Sequence, residues 1–73
     1  MKKKQYPYHE IGERLSDLMY ERNMTDEELA NRIGKERKSI CHYRHNESEM
    51  GVVTLMKICS VLNTTPNYLL YGR

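Results

Sequence analysis

The side chains best suited to chemistry lie in one short stretch. Between residues 35 and 46 the chain places four bases, Lys35, Arg37, Lys38 and Arg44, against one acid, Glu36, with His42 and His45 among them. Guanidinium and ammonium groups donate to phosphate oxygens and to O6 and N7 of guanine, and an imidazole donates to a base acceptor or a phosphate. Residues 5–34 are different, with seven acids and three bases, while residues 47–73 balance. The remaining positive charge is Lys2, Lys3 and Lys4. The net charge of +2 thus conceals two basic blocks on a neutral-to-acidic chain. Clustered positive charge of this kind is an electrostatic footprint for a polyanion. A solvated surface with a solubilising tail has the same charge pattern, and charge alone does not choose between them.

Other chemistries find less support. Cys41, His42 and His45 sit close together, but a zinc site takes about four ligands and no CxxC or HxxxH pair accompanies them. The two cysteines, Cys41 and Cys59, read as reduced thiols, one of them in the core, and provide no disulfide framework. There is no nucleophile–base pair, no carboxylate pair in a pocket context and no phosphate-binding glycine loop. The chain therefore reads as no enzyme and implies neither a cofactor nor a metal. No apolar run approaches the about 20 residues of a membrane span, and no apolar segment follows Met1 as in a secretory signal. A cytoplasmic protein without a membrane partner is expected. At 73 residues there is room for one domain.

The elements that would position the basic block are all helical. Residues 1–8 combine like charges with Pro7 and read as a basic arm, either flexible or frayed. Residues 9–23 form a first helix, with Ile11, Leu15, Leu18, Met19 and Arg22 along one stripe and Asn23 as its stop. Thr25 begins a second helix with Glu28 three residues on, a capping box, while Asp26 and Glu27 suit the positive end of the helix dipole. Leu29, Ala30 and Ile33 are its apolar face, and Gly34 takes the left-handed position after it. A third helix runs from about Arg37 to Arg44 with Ile40 and Tyr43 inward. A polar loop of His45, Asn46, Glu47 and Ser48 follows, with Asn46 suited to positive φ. The fourth helix covers about 52–62, with Val52, Leu55, Ile58, Cys59 and Leu62 on one side. Thr65 and Pro66 open a fifth, short helix that carries Tyr68, Leu69 and Leu70 and stops before Gly72.

The second and third helices carry the informative pattern. Two short helices joined by a tight glycine turn cross steeply, so their backbones must approach closely. Ala30 supplies the small residue, Gly34 the turn, and Ile40 the branched side chain that points back. The stretch TDEELANRIGKERKSICHYRHN resembles the phage-repressor, Cro-like helix-turn-helix family, also called the xenobiotic-response-element family. The resemblance covers about residues 9–72. IGERLSDLMYERN is similar to the family's first helix and VTLMKICSVLNTTPNYLLYG to its fourth and fifth. It implies an all-α, five-helix, lambda-repressor-like domain over residues 9–73, with its helix-turn-helix at about 25–44. The third helix would lie in the major groove. Carried over by position, Arg37, Lys38 and His42 fall where bases are read. Thr25, Asp26, Lys35, Ser39, His45 and Asn46 fall near phosphates. Lys2, Lys3 and Lys4 either reach into DNA as an arm or form a disordered tail.

Three departures from the family pattern bear on the contacts. Asp26 stands where the family usually has Gln, and would repel phosphate unless it serves as a second cap. Glu36 replaces the usual Ser or Thr at the start of the third helix. The family's pair of an Arg in the first helix with a Glu late in the third is replaced by Met19 and Arg44, which leaves Arg44 free for phosphate. The resemblance implies a sequence-specific regulator of double-stranded DNA, bacterial or phage-encoded, that represses by occupying a two-fold operator. A two-fold operator needs a homodimer, for which Tyr68, Leu70 and Tyr71 form the expected surface, with Leu69 in the core and Tyr71 exposed. The alternative is an antitoxin or other interaction module of the same fold, with a toxin as protein partner.

Overall fold

The computed structural model describes residues 10–73 as five helices: α1 (Ile11–Glu21), α2 (Asp26–Ile33), α3 (Arg37–Arg44), α4 (Val52–Leu62) and α5 (Pro66–Tyr71). Among the described residues there is no strand. The Lys2–Lys4 arm lies outside them. The ends of α1 fall two residues inside the expected 9–23 at each side, while α2 to α5 start and stop where the caps and periodicities place them.

Local signals at the helix ends explain this agreement. Thr25 and Glu28 form the reciprocal capping box: Glu28 N donates to Thr25 Oγ1 at 3.1 Å and Thr25 N to Glu28 Oε1 at 3.0 Å. Thr65 Oγ1 accepts from Tyr68 N ahead of Pro66. Each helix is followed by a left-handed residue: Asn23, Gly34, Asn46, Asn63 and Gly72. After four of them the next amide reaches back to a carbonyl five residues earlier, as in Met24 to Met19 and Glu47 to His42. These bonds satisfy carbonyls that the end of a helix leaves without partners.

The core is one cluster built from all five helices. Leu15, Leu29, Ile40, Ile58, Leu62 and Leu69 are fully buried, joined by Leu18, Met19, Ala30, Ile33, Tyr43 and Cys59. Truncating any of the six to Ala removes about 2–5 kcal/mol. Burial pushes the Cys59 thiol above its ordinary pKa, and both cysteines are free thiols. The apolar side of α4 departs from expectation. Val52 is exposed, and so are Val53 and Met56, while Thr54 is buried and Leu55 half-buried. Helix α4 packs against α2 and α5, which turns Thr54 and Ile58, four apart, inward and leaves Val52 at the rim. Arg22, assigned to the stripe of α1, is exposed and donates through Nε to the Leu62 carbonyl.

Gly12 carries no periodicity signal, yet it fixes how α1 meets α3. A Cβ there would lie 2.4 Å from the Arg44 carbonyl oxygen and 2.8 Å from that of Tyr43. Beside it, Gly12 N donates to Asn46 Oδ1 at 3.0 Å, so a residue 34 positions away caps α1. Gly51, by contrast, faces open space. Gly12→Ala is expected to destabilise the domain by about 1–3 kcal/mol, as overpacking of a tight contact does. Gly51→Ser, which adds a capping hydroxyl ahead of α4, is expected to be neutral or to stabilise by a few tenths of a kcal/mol. Thermal melts followed by circular dichroism measure both; equal melting temperatures for Gly12→Ala and the parent chain would refute the close approach.

Candidate nucleic-acid interface

Helix α3, which carries most of the basic block, is held in place by a few buried residues. Ala30 on α2 and Ile40 on α3 are both almost completely buried at the crossing. Gly34 turns the chain between them at φ 74°, a conformation that costs a residue with a Cβ and not glycine. Ile40 and Tyr43 anchor the inner side of α3, which fixes the outer side. Arg37 and Lys38 are exposed there, and His42 is half-buried. Positions 37, 38 and 42 lie within one half of the helix circumference at 3.6 residues per turn. An α-helix with its side chains is about 10–12 Å across, which matches the width of about 12 Å of a B-form major groove.

Lys35, His45 and Asn46 flank this helix, Ser39 lies within it and Thr25 caps α2, and several are already in use. Lys35 is exposed just past the turn. The Thr25 hydroxyl is occupied by the capping box. His45 Nδ1 lies 2.8 Å from the Cys41 carbonyl oxygen and 3.6 Å from Cys41 Sγ. A nitrogen facing a carbonyl must donate, so Nδ1 carries the proton in that contact and Nε2 faces away from it. Asn46 commits Oδ1 to Gly12 and adopts φ 58°. His42 Nε2 sits 3.9 Å from Glu47 Oε1. Among the described residues no group of three or more His, Cys, Asp or Glu could hold a metal ion, and Cys41, His42 and His45 do not converge.

The expectation that Arg44 is left free is corrected by its contacts. Nη1 reaches both carboxylate oxygens of Asp26, at 2.9 and 3.0 Å, and Nε donates to Ser16 Oγ at 3.0 Å. One arginine thereby joins α1, α2 and α3. It also explains Asp26, which neither serves as a second cap nor presents a free carboxylate at the start of α2. The exchange is reciprocal: an acid on α2 pairs with a base on α3, next to Met19, which is buried. This pairing joins positions 18 apart in the chain, so no spacing rule within one helix reveals it. The signal available was that Asp26 and Arg44 depart from the family pattern together with opposite charges. The pair lies in an open groove of roughly 500 Å³ whose lining includes Tyr20, Met24, Arg37 and Arg44.

From the same half of α1, Arg14 holds α5. Its Nε donates to the Leu69 carbonyl and its Nη2 to the Leu70 carbonyl, both at 2.8 Å. Within α5, Leu69 is buried and Tyr71 is exposed, as expected, whereas Tyr68 and Leu70 are half-buried and Tyr68 packs against the core.

A family model described as the Cro/C1-type HTH DNA-binding domain matches residues 14–71. The chain belongs to that family. Its fold is similar to that of the P22 c2 repressor protein, solved in complex with synthetic operator 9T in the presence of Tl+. The TM-score is 0.83 at 24% identity, over 86% of this chain and 96% of that one. It is also similar to the restriction-modification controller protein C.AhdI from Aeromonas hydrophila, with a TM-score of 0.79 at 22% identity, over 85% and 94% of the two chains. Among curated proteins none matches. This Cro/C1-type domain is thus of the lambda-repressor-like, all-α fold, a DNA-binding transcription regulator by family. Family and fold are those of DNA-binding regulators and not of enzymes. Among the described residues no helix is long and apolar enough to cross a membrane.

The Asp26–Arg44 pair is partly shielded, with side-chain exposures of 19% and 32%. A double-mutant cycle of Asp26→Ala and Arg44→Ala is expected to give a coupling of about 1 kcal/mol, at the upper end for solvent-reached pairs. Additive losses in urea unfolding would show that the two side chains do not support each other.

Proposed function

We propose that this Cro/C1-type domain is a sequence-specific repressor that reads a two-fold operator with α3 in the major groove. The observation that carries the reading is the placement of Arg37, Lys38 and His42 on the free side of α3, opposite the anchors Ile40 and Tyr43. Arg37 and Lys38 are donors for guanine O6 and N7, and His42 is a donor for a base or a phosphate. Lys35, Ser39, His45 and Asn46, with the backbone at Thr25, fix the register on phosphates. Lys2, Lys3 and Lys4 supply further positive charge for the DNA backbone.

Two half-sites require two copies of the domain. The end of α5, with Tyr68, Leu70 and Tyr71, is the surface offered to the second copy. Exposed Tyr71 is its centre, since Tyr68 and Leu70 are half-buried. Val52, Val53 and Met56 on α4 form a second exposed apolar set, which favours a protein contact there as well. Repression follows from occupancy, since a dimer seated on the operator excludes polymerase from the same DNA.

Selection of bound duplexes from a random-sequence pool is the direct test. An inverted repeat with half-sites about one helical turn apart is the expected product. A folded protein that enriches no sequence would sink the reading and turn attention to a protein partner such as a toxin. On the selected operator, Arg37→Ala is expected to cost about 1–3 kcal/mol and to relax preference at one base pair. Lys35→Ala should weaken operator and random DNA alike and flatten the salt slope by about one unit. Equal losses on both DNAs for Arg37→Ala would rule out its part in base reading.

A further inference from the structure

We propose that Arg44 and Ser16 form a binding site for a backbone phosphate of DNA, and that Asp26 occupies it from within the chain and so lowers affinity for DNA of every sequence. The inference rests on the reading of α3 as the DNA-facing helix. Arg44 Nη1 reaches both oxygens of the Asp26 carboxylate, and Nε is steadied by Ser16 Oγ. A carboxylate and a phosphate present the same feature to a guanidinium, two anionic oxygens at hydrogen-bond distance. Asp26 is therefore a stand-in for the ligand. The site is also reachable. It lies in an open groove whose lining Arg37 shares, and Arg37 is itself exposed. About a third of the Arg44 side chain meets solvent. A phosphate arriving beside Arg37 comes within the same groove and competes with the carboxylate for Nη1.

The charge balance points the same way. Each cation that neutralises a phosphate releases about 0.9 of a counterion whatever the base sequence. Pairing Arg44 internally removes that gain from operator and random DNA equally. It leaves discrimination to Arg37, Lys38 and His42, and it keeps a negative group beside the approaching backbone. The pair therefore sets how tightly and how salt-sensitively the domain holds any duplex, and it leaves the choice of duplex untouched.

The test is a salt series of binding to a short random-sequence duplex and to the selected operator, using the full chain. The variants are Asp26→Asn, Arg44→Gln and the double substitution. Asp26→Asn keeps shape and removes the charge. It is expected to tighten both DNAs about eightfold at about 0.1 M salt and to steepen the slope by about 0.9, the effect of one added phosphate contact. In the double variant that gain is expected to vanish, because the cation that receives the phosphate is gone. Glu27→Gln, which neutralises an acid lining the same groove but bonded to no arginine, is expected to tighten binding by much less. Should Asp26→Asn prove too unstable to assay by circular dichroism, Asp26→Gln replaces it with the same expectation. No gain with Asp26→Asn, or a gain that persists in the double variant, overturns the proposal, since the latter outcome reports loss of repulsion alone. A parent chain that binds DNA with a normal salt slope while Asp26→Asn gains nothing leaves the DNA-reading function standing. A parent chain and variants that bind no duplex at all sink both.

Discussion

At Gly12 the first turn of α1 lies against the carbonyl groups of Tyr43 and Arg44, nearer than any residue with a Cβ could come. The placement of α3 and its basic side depends on that contact. It brings Gly12 N onto Asn46, which ends α3 in the left-handed conformation and starts the loop toward α4. It sets α1 so that Ser16, one turn further on, meets Arg44. It holds α3 from behind its C-terminal end while Ile40 holds it from the middle. A bulkier residue at position 12 would lift α1 away, and the Asn46 cap and the Ser16 bond would lengthen together. Small proteins have few buried contacts to share such a loss, so a methyl group at this place matters more than one on the surface.

Much of the fold was legible because its punctuation is local. Thr25 with Glu28, Thr65 with Pro66, and Gly34 each state a helix boundary within four residues, and α2 begins and ends, and α5 begins, at those signals. The apolar sides of α2 and α3 were legible too, since Leu29, Ala30, Ile33, Ile40 and Tyr43 face a core on one side only. The side of α4 was read less well. It is packed by α2 and α5 from different directions, so a single stripe does not describe it, and Val52 was assigned inward while Thr54 is the buried residue. The cap of α1 was invisible for a different reason. Glu10 precedes it without a side-chain bond to the helix amides, and the cap comes instead from Asn46.

Charge was read correctly as a distribution and incompletely as contacts. The excess of bases between residues 35 and 46 is real in space, because Lys35, Arg37 and Lys38 all reach solvent around α3. Arg44 belongs to the same run of sequence but to a different physical environment. It points toward α1 and α2, where Asp26 is waiting. Long-range ion pairs of this kind are not encoded by spacing, only by the coincidence of two opposite charges at positions that a fold later brings together. The family pattern therefore identified the positions that differ without revealing that they had become each other's partners.

The two bonds from Arg14 to the carbonyls of α5 have a consequence for a chain still being made. Helix α1 packs on α3 and α5, so the earliest made of these five helices is among the last to be finished. Synthesis proceeds at about 5–20 residues per second, and α5 follows α1 by some tens of residues. For a few seconds, then, the apolar stripe of α1 has no complete surface to close on. The pair α2–α3 can form earlier from its own neighbours, but α1, which supports α3 from behind, is itself closed only by the C-terminal helix. A ribosome-bound chain stopped before Leu69 would carry α3 without the complete frame that orients it.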